Sequence, residues 1–279
     1  MKARQPTACP ELSRVTHLND QSNHGAVRFD VDGVRANIWF DRPKQRNAMT
    51  WAMYDGLAQA CEEITQREEV RVAVLRGVGG KAFIAGTDIE QFQSFNDGTD
   101  GIDYEARIGE YVAAVANLTI PTIAAVEGWA VGGGMAIATV CDFRVATAGA
   151  RFGVPIARTL GNCLSAGNLR ALMATLGLPL VKRMLLLAEM IPAEQLTSNG
   201  FVEAVTSADE FDATIDQLVE RLAGHAPVTM AVTKATLARL LEAVAAEDQD
   251  LVESAYGSAD FHEGVAAFVA KRAPQWQGK

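Results

Sequence analysis

Histidine and cysteine are scarce in this chain of 279 residues, four of each, and neither is grouped. His17, His24, His225 and His262 are scattered with no HExxH pair, and Cys9, Cys61, Cys141 and Cys163 show no CxxC spacing. No metal site is expected from such a distribution. Cys61 and Cys141 fall in apolar stretches and read as small core residues, which suits a reducing cytoplasm. Positive charge is also in short supply: 25 Lys and Arg stand against 34 Asp and Glu, for a net charge of −9. That excludes nucleic acid as the main partner and requires any polyanionic ligand to meet a local basic patch. No apolar run is long enough to cross a bilayer, since the longest, around residues 120–141, is interrupted by Glu127 and by glycines. The opening MKARQPT lacks the apolar core of a signal peptide. No internal repeat or low-complexity linker divides the chain.

Glycine, by contrast, is placed with purpose. Gly132, Gly133 and Gly134 follow the β-branched and small residues 122–126, which read as a buried strand, and precede residues 135–140, which read as a short buried helix. A strand-to-helix turn of this kind presents aligned backbone N–H groups at a helix N-terminus, where negative charge on an oxygen can be held. Without side chains, Gly132 and Gly133 let a ligand approach the backbone closely. The plainer reading of the triplet is a tight turn with close helix–strand packing. A second junction repeats the logic: a strand over 72–75 runs through Gly79-Gly80 to Phe83 and Ile84, breaks at Gly86, and Asp88 opens a helical pattern with Ile89 and Phe92.

With both junctions in view, the chain resembles the enoyl-CoA hydratase/isomerase (crotonase) superfamily. The resemblance is carried by Asp41-Arg-Pro-Lys-Gln-Arg-Asn-Ala-Met49, Ala82-Phe-Ile-Ala-Gly-Thr-Asp-Ile89, residues 121–134, Cys141-Asp142, Ala150-Arg-Phe-Gly-Val-Pro155 and residues 263–272, in the family's order, over residues 27–276. It implies an α/β fold, the crotonase-like spiral of ββα units with a C-terminal helical segment, built as trimers or dimers of trimers.

The periodicities fit that outline. Residues 1–24 read as a mobile N-terminal arm, 25–205 as the ββα core and 206–279 as the C-terminal helical trimerisation segment. Residues 27–40 alternate around Asp32-Gly33 as a hairpin, and Thr50 is placed to cap a helix whose apolar face is Met53, Leu57, Cys61 and Ile64. Tyr104, Ile108, Tyr111, Val115 and Leu118 form a helical stripe ending before Pro121, and a strand follows at 143–146. Leu169, Leu172, Met173 and Leu176 make a further stripe, and Val181, Met184, Leu185 and Ala188 another. Residues 201–205 read as β-like; 209–223, 228–246 and 260–271 read as helices.

For the site, the resemblance implies an oxyanion hole formed by the backbone N–H groups of Thr87 and Gly133, polarising a thioester carbonyl and stabilising an enolate. Such a hole defines the substrate class and not the reaction. The two glutamates that act as acid and base in the family's hydratases correspond to Ala136 and Ile156, neither of which can move a proton. Candidates for that work are Arg158, Asn162 and Cys163 in the following loop, and Asp88 beside the hole. Each has a plainer role: Asp88 as a helix cap, Cys163 as a core residue, Asn162 as a satisfier of loop backbone, Arg158 as an ion-pair partner. Ser165 reads as the N-cap of the next helix. Glu127 reads as structural, and Asp142 as a brace for its loop. CoA binding is implied for Lys44, Gln45, Arg46, Ala85, Gly86, Asp88, Gly132, Phe268 and Lys271, with CoA arriving as part of the substrate and no separate cofactor. The expected function is acyl-CoA processing of lyase or isomerase type through a thioester enolate. The alternative is a CoA-ester binding protein with little turnover. RNA binding, known in one branch of the family, fits the charge least.

Overall fold

The structure, a computed structural model, describes residues 16–18, 25–243 and 246–278. A short strand, β1 (Thr16–Leu18), pairs antiparallel with β2 (Ala26–Asp32), so part of the expected N-terminal arm is an edge strand; the rest of that arm lies outside the described residues. β2 and β3 (Arg35–Asp41) form the anticipated hairpin, with Gly33 at φ 57 in its turn. Thr50 accepts from the Met53 N–H and caps α1 (Trp51–Thr65), which buries Met53, Leu57, Cys61 and Ile64.

From here the chain winds in turns of two strands and a helix. The first turn is β4 (Val72–Gly77), β5 (Ala82–Ile84) and α2 (Gly98–Ala116). The second is β6 (Thr122–Val126), β7 (Trp129–Val131) and α3 (Gly133–Val140). The third is β8 (Phe143–Thr147), β9 (Arg151–Gly153), and the helices α4 (Ile156–Thr159), α5 (Ala166–Leu176) and α6 (Leu178–Leu186). After β10 (Ile191–Pro192) and β11 (Ala204–Thr206) come α7 (Phe211–Ala223), α8 (Pro227–Glu242), α9 (Gln249–Tyr256) and α10 (Ala259–Val269). The larger sheet runs β1-β2-β3-β4-β6-β8-β11, parallel from β3 onward; the smaller runs β10-β9-β7-β5.

β7 lies where sequence analysis placed only a turn. Gly128 has φ 67, and a Cβ there would lie 2.0 Å from the Lys81 carbonyl oxygen, so only glycine can swing the chain out of the larger sheet. The next three residues then join the smaller sheet before the glycine triplet starts α3.

The larger sheet is covered on both faces, which explains why β6 is buried throughout. Val72, Val74, Ile123, Ala125 and Val145 meet Phe211, Ile215, Leu218 and Leu222 of α7 on one side. Alternate residues, among them Leu75, Ala124 and Val126, enter the main core on the other. Three sequence expectations need correction. Met173 is exposed although Leu172 and Leu176 of its stripe are buried. The last strand begins at Ala204, with Phe201 and Val202 buried in the preceding turn. The helix expected over 228–246 ends at Glu242, and α9 is a separate, unanticipated helix.

Candidate functional site

Both glycine junctions open on one cavity of 760 Å³. At the first, the Met49 N–H donates to the Gly86 carbonyl at 2.9 Å and the Asp88 N–H to the Met49 carbonyl at 2.8 Å. This bridge flanks Thr87 and turns its own N–H the other way; among the described residues that N–H meets no protein acceptor. At the second, the Gly132 N–H donates to the Gly153 carbonyl at 3.1 Å, and Gly133 is the first residue of α3. Its N–H is one of the donors a helix start leaves unpaired. Gly132 adopts φ 53 and ψ −117, a conformation side chains disfavour. The junctions abut: a Cβ on Gly133 would lie 3.3 Å from Thr87 Oγ1 and 2.5 Å from Tyr54 Oη.

Thr87 is held from behind by hydroxyls. Its Oγ1 lies 2.8 Å from Tyr54 Oη and 2.9 Å from Tyr104 Oη. Burial pushes both phenols above their ordinary range, so they remain neutral hydrogen-bonding groups. Asp88 caps the following 3-10 segment through the Glu90 N–H at 3.2 Å and pairs with Arg42 at 2.6 Å.

Of the residues named for CoA, Gln45, Arg46, Ala85, Gly86, Asp88, Gly132, Phe268 and Lys271 line the cavity together with Thr87 and Gly133. Lys44 is exposed and off the wall. Ala136 and Ile156 both line it and contribute only alkyl groups. Of the candidate proton carriers in the loop, Asn162 lines the cavity; Arg158 and Cys163 do not. Arg158 is exposed on α4. Burial pushes the Cys163 thiol up to about 12, with Glu105 and Asp248 adding to the rise, so it carries no thiolate at neutral pH.

Ser165 occupies the N-cap position of α5, yet its side chain makes no capping bond. Carboxylates from elsewhere take the free donors: Glu105 accepts from the Ser165 N–H at 2.8 Å, and Asp248 accepts from the Ala166 N–H. Glu127 and Asp142 are structural as expected. Glu127 pairs with Arg76 at 2.9 Å, and Asp142 accepts from the Thr122 N–H at 2.8 Å and from Lys234.

Two further residues, Glu105 and Tyr256, belong to this site without any motif to mark them. Glu105 on α2 is 5% exposed and lines the cavity, and its Oε1 accepts from the Tyr256 hydroxyl at 2.7 Å. Tyr256 ends α9 and also accepts from Asn162 Nδ2 at 3.1 Å. The one signal was a glutamate next to the apolar stripe of α2, which reads as an ordinary helix-surface charge until α5 and α9 close over it.

The spiral of strand–strand–helix turns, with two glycine junctions at the head of one cavity, is the crotonase fold. The chain belongs to the enoyl-CoA hydratase/isomerase family, whose model matches residues 32–279. Similar proteins include the mitochondrial enoyl-CoA hydratase domain-containing protein 2 of Mus musculus, 30% identical over 283 aligned positions covering 95% of each chain. The 2,3-dehydroadipyl-CoA hydratase of Escherichia coli K12 is 31% identical over 246 positions, 87% of this chain and 94% of its own. Among solved structures, a methylmalonyl-CoA decarboxylase in complex with 2-nitronate-propionyl-CoA superposes with a TM-score of 0.83 at 26% identity, covering 91% of this chain and 98% of that one.

Proposed function

We propose that this chain is an acyl-CoA-processing enzyme that stabilises a thioester enolate, with lyase or isomerase chemistry rather than hydration. The observation that carries the reading is the pair of unpaired amides, Thr87 and Gly133, at one end of a cavity whose wall also bears Arg46 and Lys271. Two donors aimed at one carbonyl oxygen favour the charge that develops when the neighbouring carbon loses a proton or a carboxylate. The cations suit the phosphates of CoA in a protein that is otherwise acidic. Ile89, Phe92, Ile108 and Leu160 supply an apolar lining for the acyl group. CoA enters as part of the substrate, and no separate cofactor is needed for this step. We place the protein in a reducing, cytoplasmic compartment, to which the free Cys61 and Cys141 thiols are suited.

Alkyl groups at Ala136 and Ile156 support the statement about hydration. Acid–base groups typically contribute about 10²–10⁴-fold each, so crotonyl-CoA is expected to be hydrated far more slowly than by a dedicated hydratase. A spectrophotometric assay that follows loss of the conjugated thioester of crotonyl-CoA checks it; rapid hydration overturns that part of the reading. The same two positions favour the second reading, a CoA-ester binding protein without turnover. Titration calorimetry with a thioether analogue tests the common ground: binding is expected, and its absence at millimolar concentration sinks both readings.

A further inference from the structure

Glu105 is a buried carboxyl with no counter-cation among the described residues. Its Oε1 accepts from Tyr256 Oη at 2.7 Å and its Oε2 from the Ser165 N–H at 2.8 Å. Tyr256 is in turn fixed by Asn162 Nδ2 at 3.1 Å, and Asn162 Oδ1 is buried in the wall of the same cavity with no hydrogen-bond partner among the described residues. Three separate parts of the chain, α2, the loop before α5 and the end of α9, converge on this one group. The groups around it are the hydroxyls of Tyr54, Tyr104 and Tyr256, the Cys163 thiol and the Asp248 carboxylate; among the described residues no cation forms an ion pair with it. Its neighbour in sequence, Tyr104, lines the cavity too and holds Thr87 Oγ1 at 2.9 Å. One turn of α2 therefore braces the amide junction with one residue and presents a carboxyl with the next.

Resting on the enolate reading above, we propose that Glu105 is the proton-transfer group of this site, with Tyr256 and Asn162 as its positioning residues. In the forward step the C–H bond next to the thioester carbonyl breaks and its proton goes to a Glu105 oxygen. The electron pair becomes the enolate C=C bond, and the carbonyl π pair moves onto the oxygen held by the Thr87 and Gly133 amides. The reverse step returns the proton to the same carbon or to one in conjugation with it, and no oxidant or reductant is involved. Burial pushes the Glu105 carboxyl above the usual carboxylate range, against the lowering effect of its bonds to Tyr256 and Ser165, while Asp248 adds to the rise. A carboxyl raised in this way is a stronger base than an exposed one once it has lost its proton.

The test is deuterium exchange at the α-carbon of butyryl-CoA in D₂O, followed by proton NMR across pH, beside calorimetric binding of a thioether analogue. Wild-type protein is expected to exchange the α-protons with a rate that rises with pH through the carboxyl titration. Glu105→Gln keeps the shape of the side chain and should lower the rate about 10²–10⁴-fold with unchanged affinity for the analogue. Tyr256→Phe removes a donor to the charged carboxyl and should move the pH midpoint upward, a change that a purely structural tyrosine would not cause. Binding with no exchange in the wild type, or exchange at the wild-type rate in Glu105→Gln, overturns the proposal. Failure of the analogue to bind overturns the enolate reading beneath it. Should Glu105→Gln not fold, an unmoved midpoint in Tyr256→Phe overturns it alone.

Discussion

At Gly133 the absence of a side chain and the presence of an amide proton are separate requirements. The missing Cβ leaves room for the Tyr54 hydroxyl, which would lie 2.5 Å from it. The amide is the proposed donor. Proline is tolerated at the first helical position and has no N–H, so Gly133→Pro combined with Tyr54→Phe removes the donor while opening space for the ring. Relative to Tyr54→Phe alone, turnover or α-proton exchange should fall about 10²–10³-fold, with the circular dichroism spectrum unchanged. Glu105 also sets a pH dependence of stability. Its carboxyl in the folded state holds a proton that the unfolded chain has already released, so its contribution is present below the ordinary carboxylate range and is lost as pH rises through the folded value. Glu263 runs the other way. The Arg272 guanidinium holds it down to about 2, so its contribution is present above the ordinary range and is lost as pH falls towards that value. Urea unfolding across pH checks the first sign: Glu105→Gln should lack the decline with rising pH. At this scale the motifs made Thr87, Gly133, Ala136 and Ile156 legible, because each sits at a fixed distance from glycine or proline. Glu105 was not legible, since its partners lie 60 and 151 positions away.

Among the elements, α2 brings Tyr104, Glu105 and Ile108 to the cavity, and α9 packs against α2. The two helices approach so closely at Gly101 that a Cβ there would lie 2.2 Å from Tyr256 Cβ; at Gly98 it would lie 2.2 Å from the Glu253 carbonyl. Glycine is required here by space and not by backbone conformation. Gly101→Ala should force α9 away from α2 at a cost of about 1–3 kcal/mol, read as a lower urea midpoint. It should also weaken the hold of Tyr256 on Glu105, read as an upward shift in the exchange midpoint. A similar contact seats α10, where a Cβ on Gly264 would lie 2.2 Å from the Leu160 carbonyl. That helix brings Phe268 and Lys271 to the cavity, and the Glu263–Arg272 pair at 2.6 Å ties the chain beyond it back onto the helix. The stripes of α1 and α2 were readable because 3.6-residue periodicity survives in any amphipathic helix. The eight-residue α9 was not, because a helix of two turns shows too few periods and its burial depends on glycines in another element.

At the scale of the whole molecule, α8 is a 16-residue helix with no buried residue. Val228, Val232, Leu237 and Leu240 are all more than half exposed on it, although Lys234 anchors it to the Ile120 carbonyl at 2.9 Å. Apolar side chains so displayed on a helix bury area if copies of this chain associate, as they would in the trimer or dimer of trimers that the family resemblance implies. Val232→Lys with Leu240→Lys should lower the mass measured by light scattering, and an unchanged mass would remove α8 from the interface.

What the sequence determined by itself was local and periodic: the hairpin, the capped α1, the βαβ alternation, the two glycine junctions and the family pattern from which the donor amides are proposed. These follow from backbone conformation and side-chain spacing, which are properties of neighbouring residues. What only the tertiary structure decided was which groups meet. The turn at Gly128, where a Cβ would meet the Lys81 carbonyl, leads residues 129–131 out of the larger sheet and into the smaller one beside β9. Ser165 leaves its capping role to Glu105 and Asp248, and Cys163 and Arg158 stay off the cavity wall while Glu105 joins it. Burial and long-range hydrogen bonding set the chemistry of a carboxyl, and neither is written in the residues beside it.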